Sequence, residues 1–339
     1  MARTIDIGGR KVGAGERPYL IAEVGINHGG DVGLCRKLIE LAAASGADSI
    51  KLQAYRSGAF LSRRSPYFSI LESCEIRGSD MVSMVGYAKE QGLELFASVF
   101  DEASADMMED AGTRLYKIAS GDLTHSPLLR HVSGFGKPMI VSTGGATMGD
   151  IDRALNAIAA GGTAPVVLLH CVSQYPTAPE NVNLLSMDTM ARQFGVPVGF
   201  SDHTIGEATA IAAVALGACV IEKHFTYDRA AEGPDHALSS DPAGLRILAD
   251  ALPIAWKARG GTAKAPVEAA DFIPQIRRSV TADREIAAGT VITREMLAIK
   301  RPGTGIQPEF LNRVIGMRAV KDLAADAPIG WLDVEHLKG

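Results

Sequence analysis

No CxxC pair occurs among the four cysteines, Cys35, Cys74, Cys171 and Cys219. This removes the usual zinc and dithiol-redox spacings and points to reduced thiols of an intracellular protein. No uncharged apolar run approaches the roughly 18 residues that a membrane-spanning helix needs. The opening stretch, Met1-Ala2-Arg3-Thr4-Ile5-Asp6, has no apolar signal core, so a cytoplasmic protein is expected. Positive charge is not in excess. Lys and Arg number 34 against 39 Asp and Glu, a formal net charge of −5. That argues against a nucleic-acid-binding surface but says little about a local anion site. No GxGxxG follows the first apolar run, where Gly25-Ile26-Asn27-His28-Gly29-Gly30 stands instead. An open dinucleotide-binding sheet would usually carry that fingerprint.

What the chain does have is a regular alternation. Short apolar runs at 19–24, 49–53, 94–99, 115–118, 138–142, 166–171, 198–200 and 220–223 alternate with longer helical patterns. Most of these runs are continuously apolar, as strands buried on both faces must be. Gly46, Gly92, Gly112, Gly195 and Gly217 follow helical patterns and stand just before the next run, the placement of helix C-caps. Eight strand–helix units in succession predict an α/β fold, a (β/α)8 TIM barrel of about 250 residues. After Ala258 the texture changes. Gly260-Gly261-Thr262-Ala263-Lys264-Ala265-Pro266 reads as a linker, and from about Arg278 short strand-like pieces (279–282, 289–292, 299–303, 315–319, 327–330) alternate with turn signals. The expected domains are residues 1–260, a linker over 261–277 and a small β-rich domain over 278–339. At that size the last domain's core is marginal, and it should dock on something.

In such a barrel the chemistry collects at the C-terminal ends of the strands. Those ends carry Glu23 and Asn27, Lys51 and Gln53, Ser98, Lys117, Ser120 and Asp122, Ser142 and Thr143, Tyr175, Ser201 and His203, and Glu222 and His224. His203 and His224 follow neighbouring apolar runs. Two neutral imidazoles so placed can hold one divalent cation and leave positions open for substrate, although hydrogen-bonded core histidines would give the same spacing. Lys51, Lys117, several hydroxyls and the Ser142-Thr143-Gly144-Gly145 turn suit an anion such as phosphate. Two reaction classes follow: metal-assisted activation of a carbonyl beside a phosphorylated partner, or a Schiff-base aldolase using Lys51, Lys117 or Lys223. A sugar-binding protein without catalysis is a third reading.

The ordered stretches Ile21-Ala22-Glu23-Val24-Gly25-Ile26-Asn27-His28-Gly29-Gly30, Lys51-Leu52-Gln53, Lys117-Ile118-Ala119-Ser120-Gly121-Asp122, Ser142-Thr143-Gly144, His170-Cys171 to Tyr175-Pro176-Thr177, Ser201-Asp202-His203-Thr204, Ile221-Glu222-Lys223-His224-Phe225-Thr226, Gly233-Pro234-Asp235-His236 and Lys300-Arg301-Pro302-Gly303-Thr304-Gly305 together resemble the N-acetylneuraminate (sialic acid) synthase family. That family condenses phosphoenolpyruvate with an amino-sugar aldehyde. The resemblance implies a TIM barrel followed by a SAF domain similar to type III antifreeze proteins. It also implies that His203 and His224 bind a divalent cation, usually manganese, with magnesium or cobalt as alternatives. Lys51, Ser98, Lys117, Ser120, Ser142 and Ser201 fall where phosphoenolpyruvate is held. Glu23, Gln53, Tyr175 and Asp235 fall where the sugar is held or the reaction assisted, with Glu23 and Asp122 as acid/base candidates. Arg301 matches an arginine offered to the sugar's acyl-amino group, and the family's domain-swapped homodimer would bring it in trans. Two departures stand out. Asp122 replaces the usual Glu, and Cys171-Val172-Ser173-Gln174 differs from the common segment before Tyr175.

Overall fold

Residues 4–337 are described by a computed structural model. Met1–Arg3 of the opening stretch, and Lys338 and Gly339 at the end of the expected second domain, lie outside the described residues. The chain divides into two compact units, Met1–Gly260 and Gly261–Gly339.

The first unit begins with an antiparallel hairpin, β1 (Ile5–Ile7) and β2 (Arg10–Val12). The eight expected strands follow: β3 (Tyr19–Gly25), β4 (Ser49–Ala54), β5 (Glu94–Val99), β6 (Tyr116–Ile118), β7 (Met139–Ser142), β8 (Val166–Cys171), β9 (Val198–Asp202) and β10 (Val220–His224). They pair in parallel and close into a barrel in chain order, with β10 against β3. The helices between them are α1 (Val32–Ala44), α2 (Ser57–Phe60), α3 (Phe68–Ser73), α4 (Gly78–Glu90), α5 (Glu102–Asp110), α6 (Ser126–Gly134), α7 (Met148–Gly161), α8 (Ser186–Phe194) and α9 (Ala208–Ala215), with α10 (Pro242–Arg259) closing the unit. Local chemistry sets their ends. Asp31 accepts from the N–H groups of Gly33 and Leu34 at the start of α1, and Thr147 and Asp150 form a capping box on α7. The five expected helix-closing glycines all take positive φ. None of the helices among the described residues is long and apolar enough to cross a membrane.

Alternate strand residues face opposite ways. One set (Leu20, Ala22, Ile50, Leu52, Tyr116, Ile118, Val141, Leu168, Phe200, Ile221) packs with the buried faces of the helices. The other faces the barrel interior. Its lower layers are apolar, with Ile21, Phe96, Ile140, Val167, Leu169 and Val220 packed together with Ile5, Ile7 and Val12 of the hairpin. Its uppermost layer is polar, and that layer makes the site.

Several features depart from the sequence reading. The hairpin was not expected. Its strands are three residues each, too short to show a period, and they gain their stability from the barrel floor they cover. The two short helices α2 and α3 lie between β4 and α4, where no element was expected. In the second unit, α11 (Phe272–Ile276) lies within the expected linker.

The second unit holds β11 (Ser279–Ala282) antiparallel to β12 (Leu297–Lys300), and β13 (Arg318–Ala319) antiparallel to β14 (Val334–Glu335). The pieces expected as strands at 289–292 and 327–330 reduce to single bridges, Val291 to Arg318 and Thr281 to Pro328. In this unit turns, not ladders, satisfy most of the backbone. Arg301 falls just outside β12 and is exposed. The unit has an apolar core of its own, including Val280, Ile292, Leu297, Ile306, Val314, Met317 and Ile329.

Candidate active site

A cavity of about 310 Å³ opens at the C-terminal end of the barrel strands. Glu23, Lys51, Gln53, Ser98, Lys117, Ser120, Ser142, Tyr175, Ser201, His203, His224 and Asp235 all line it. Asp122 does not. It sits on a short turn, Ser120–Asp122, whose neighbours Ser120 and Gly121 reach the cavity. Arg301 belongs to the second unit.

Strand alternation and register build the floor. Glu23 pairs with Lys51 across β3 and β4, Gln53 with Ser98 across β4 and β5, and Ser98 with Lys117 across β5 and β6. Lys51 is the hub. Its Nζ lies 2.8 Å from Glu23 Oε2 and 3.2 Å from Glu222 Oε2, and it donates to Ser98 Oγ at 3.0 Å. Lys117 Nζ approaches Glu222 Oε1 at 3.5 Å, and Ser201 Oγ donates to the same oxygen at 2.9 Å. All four charged residues are buried.

Burial penalises each charge, and the neighbours decide the outcome. Burial would raise the Glu222 carboxyl, but Lys117, Lys51 and the Ser201 hydroxyl more than reverse it and hold it ionised, at about 2. Glu23 goes the other way. Burial, with the charge of Glu222 adding to it, outweighs Lys51 and moves its carboxyl up to about 7. Burial pulls Lys51 down, but Glu222 and Glu23 lift it above the ordinary lysine value. Lys117 is left below that value, because burial exceeds what Glu222 restores. With Glu23 protonated, the four groups carry one net positive charge in a dry floor ringed by hydroxyls. The Ser142 hydroxyl is buried without a partner. An anion would satisfy both that orphaned donor and the uncompensated cation.

Glu222 stood among the strand-end residues of the sequence reading but was given no part in the site. The signal was present: it precedes His224 by two residues, and period two puts both on the same face. The same alternation corrects Lys223. Its Nζ is fully buried on the outer side of the strand, 2.9 Å from Asp202 Oδ2 and 2.5 Å from the Thr204 carbonyl. It is a structural ion pair and cannot be a Schiff-base lysine of this cavity. Cys171 also lines the cavity, its Sγ 3.7 Å from Ser120 Oγ.

The two histidines stand together above the floor, ring centroids 5.4 Å apart. The Tyr175 ring covers His203 at 4.2 Å. His203 Nδ1 lies 2.7 Å from the Val172 carbonyl, so this nitrogen carries the proton and Nε2 keeps its lone pair. Burial depresses both imidazoles, and His224 further by His203 and Lys51, so both are neutral. His224 Nδ1 is buried without a hydrogen-bond partner, 3.8 Å from Asp235 Oδ2. Neutral nitrogens, one of them orphaned, suit a borderline divalent cation. Among the described residues, no cluster of three or more His, Cys, Asp or Glu is arranged to hold a metal, and His203 and His224 are the pair that would hold one.

A closed eight-stranded barrel with a charged, anion-seeking floor beneath two neutral imidazoles places the chain in the α/β barrel class. Comparison with known proteins narrows it. The NeuB family model matches residues 38–264, and the SAF domain model matches residues 277–335. An uncharacterized protein of Methanocaldococcus jannaschii is 39% identical, over 97% of this chain and 98% of its own. The N,N'-diacetyllegionaminic acid synthase of Legionella pneumophila subsp. pneumophila is 34% identical, over 94% of each chain. Among solved structures, the N-acetylneuraminic acid (sialic acid) synthetase of Leptospira borgpetersenii serovar Hardjo-bovis, in complex with citrate, superposes with a TM-score of 0.77. It is 32% identical and the match covers 80% of this chain and 95% of that one. The chain belongs to the NeuB family of acid synthases and ends in a SAF domain.

Proposed function

We propose that this enzyme condenses phosphoenolpyruvate with the open-chain aldehyde of an N-acylated amino-sugar, giving a nonulosonic acid of the sialic type and inorganic phosphate. The floor built from Lys51, Lys117, Glu222 and Glu23 carries the reading. It has a surplus of one positive charge when Glu23 is protonated, lies beside hydroxyl donors, and contains a carboxyl poised near neutrality.

Lys51 and Lys117 hold the phosphate and carboxylate of phosphoenolpyruvate, with Ser98, Ser120, Ser142 and Ser201 as hydrogen-bond donors. Gln53, Tyr175 and Asp235 face the acceptor. His203 and His224 hold a divalent cation, with manganese the first choice. When bound, that cation supplies Lewis-acid polarisation of the acceptor's carbonyl. The C2–C3 π pair of phosphoenolpyruvate forms the new bond to the aldehyde carbon. The carbonyl's π pair takes the Glu23 proton and becomes a hydroxyl. Water adds to the electron-poor C2 and returns a proton to Glu23. The C2–O bond to phosphate then breaks, its electron pair leaving on phosphate while the C2 hydroxyl loses its proton to give the ketone. Glu222 stays ionised throughout and fixes both lysines. Asp122, its carboxyl raised by burial to about 6, does not line the cavity, and the proton transfers are assigned to Glu23.

The proposal includes a two-fold dimer with exchanged C-terminal domains, in which Arg301 of one protomer meets the acyl-amino group at its partner's barrel. A planar guanidinium can donate two hydrogen bonds to an amide carbonyl or hydroxyl pair. The test is phosphate release from phosphoenolpyruvate with a panel of amino-sugar aldoses, after chelation and after manganese is restored. Acceptor-dependent release that returns with manganese is expected. Full activity after exhaustive chelation, or an adduct trapped by borohydride on Lys51 or Lys117, would overturn the mechanism.

A further inference from the structure

His203 and His224 are held at the cavity by different means. His224 is the last residue of β10 and pairs with Glu23 of β3, so the barrel's own ladder fixes its main chain. His203 lies just beyond β9. The pairing of β9 with β10 stops at Asp202 and Lys223, and its pairing with β8 stops at Ser201. The sheet therefore gives His203 no strand partner on either side, and side chains take the place of the ladder.

Asp202 and Lys223 are register partners across β9 and β10, each directly ahead of one of the histidines. Both are fully buried. Lys223 Nζ donates to Asp202 Oδ2 at 2.9 Å and to the Thr204 carbonyl at 2.5 Å, and Asp202 Oδ1 accepts from the Thr204 N–H at 2.8 Å. Both backbone groups of the residue after His203 thus end on one ion pair, whose cation is rooted in β10 beside His224. The other ties of His203 lead elsewhere. Its carbonyl accepts from the Thr177 N–H at 2.9 Å and its Nδ1 donates to the Val172 carbonyl at 2.7 Å, both in the loop after β8. Stability alone does not account for the pair, since two buried charges can often be replaced by an apolar pair of like volume without loss. Geometry does. A two-ligand cation site needs its donor atoms held to within about 0.5 Å, and groups behind the ligands supply that precision. An apolar pair would fill the space but leave the Thr204 N–H and carbonyl unheld.

We infer that the Lys223–Asp202 pair is a positioning device for the cation site. It fastens the main chain after His203 to the strand that ends in His224, and so sets the gap between the two imidazoles, whose ring centroids stand 5.4 Å apart. This rests on the reading above that His203 and His224 hold a divalent cation. Neither Lys223 nor Asp202 is among the residues lining the cavity, so both act through His203 and not on substrate.

The experiment is Mn2+ binding to the metal-free full chain, read as free Mn2+ by electron paramagnetic resonance, beside phosphoenolpyruvate binding to the same metal-free protein by calorimetry. In K223M/D202N, which leaves neither charge behind, the Kd for Mn2+ is expected to rise about 10- to 100-fold, while that for phosphoenolpyruvate, held on the floor, stays within about twofold. H203A sets the scale for complete loss of the site. D202N keeps an acceptor for the Thr204 N–H and is read in place of the double variant if that does not fold, with a several-fold rise expected. A Kd for Mn2+ within about twofold of wild type in the folded variant, or parallel loss of Mn2+ and phosphoenolpyruvate binding, overturns the positioning role and leaves the cation reading standing. Absence of any Mn2+ binding in the wild type that H203A removes overturns the cation reading itself, and the inference falls with it.

Discussion

Glu23 and Glu222 touch the same lysine, yet they titrate in opposite directions. Glu222 meets both Lys51 and Lys117 and a hydroxyl, whereas Glu23 meets Lys51 alone and feels the fixed charge of Glu222. The site thereby keeps one carboxylate as structural charge and one carboxyl as a proton store. Because the proton is used in the forward step, activity should fall as pH rises through about 7. E23Q should lose about 100-fold or more in kcat, and its residual rate should lack that limb; a pH profile of both proteins decides this. Stability follows the same sign. A carboxyl raised from 4.5 to about 7 in the folded state contributes stability that is fully present below 4.5 and is lost as pH rises through 7. Denaturant midpoints of E23Q should therefore be flatter across that window. Lys223 makes a contrasting case. K223M leaves Asp202 buried and unpaired and should cost about 3–5 kcal/mol in unfolding free energy. The double variant with D202N should recover much of that. Equal destabilisation in single and double variants would show that the pair is not coupled.

At the level of elements, the site depends on loops that the barrel holds at its rim. Asn27, in the turn after β3, donates to the Phe225 carbonyl at 2.9 Å and to Ser239 Oγ at 3.0 Å, and Ser239 Oγ donates to the Asp235 carbonyl at 2.6 Å. A chain of three hydrogen bonds thus ties the first rim loop to the last, which carries Asp235 into the cavity. Asn27 is buried and is a positioning residue. N27A removes two donations and should cost about 1–3 kcal/mol of stability. Beyond that cost, it should raise the KM for the acceptor several-fold while the KM for phosphoenolpyruvate, bound on the strand ends, stays the same. Parallel rises in both constants would show a general loosening and not a displaced Asp235.

For the whole molecule, the expectation concerns assembly. The second unit has its own apolar core, and Arg301 is exposed on it just beyond β12. If Arg301 acts in trans, inactive H203A and R301A chains should complement each other. In an equal mixture of freely exchanging dimers, about a quarter of the sites hold both residues, so recovery should approach about a quarter of wild-type activity. No recovery, in preparations shown by mass to exchange subunits, would place Arg301 in cis or outside the site.

The sequence by itself determined the barrel. Eight apolar runs separated by helical patterns and closing glycines leave few other ways to bury strands on both faces, and each strand was found within one or two residues of its expected bounds. It also determined which strand-end residues could meet, because a parallel barrel gathers its C-terminal ends in one place. Only the tertiary structure decided what those residues do to one another. A continuously buried strand hides which of its faces points inward, so only the spacing of two from His224 separates Glu222 from Lys223 in the sequence. Closure of the barrel put Glu222 between two lysines and Lys223 behind the strand. The hairpin under the barrel and the short helices α2 and α3 were invisible for a related reason. Their segments are too short for a period of their own, and what stabilises them is the surface they cover.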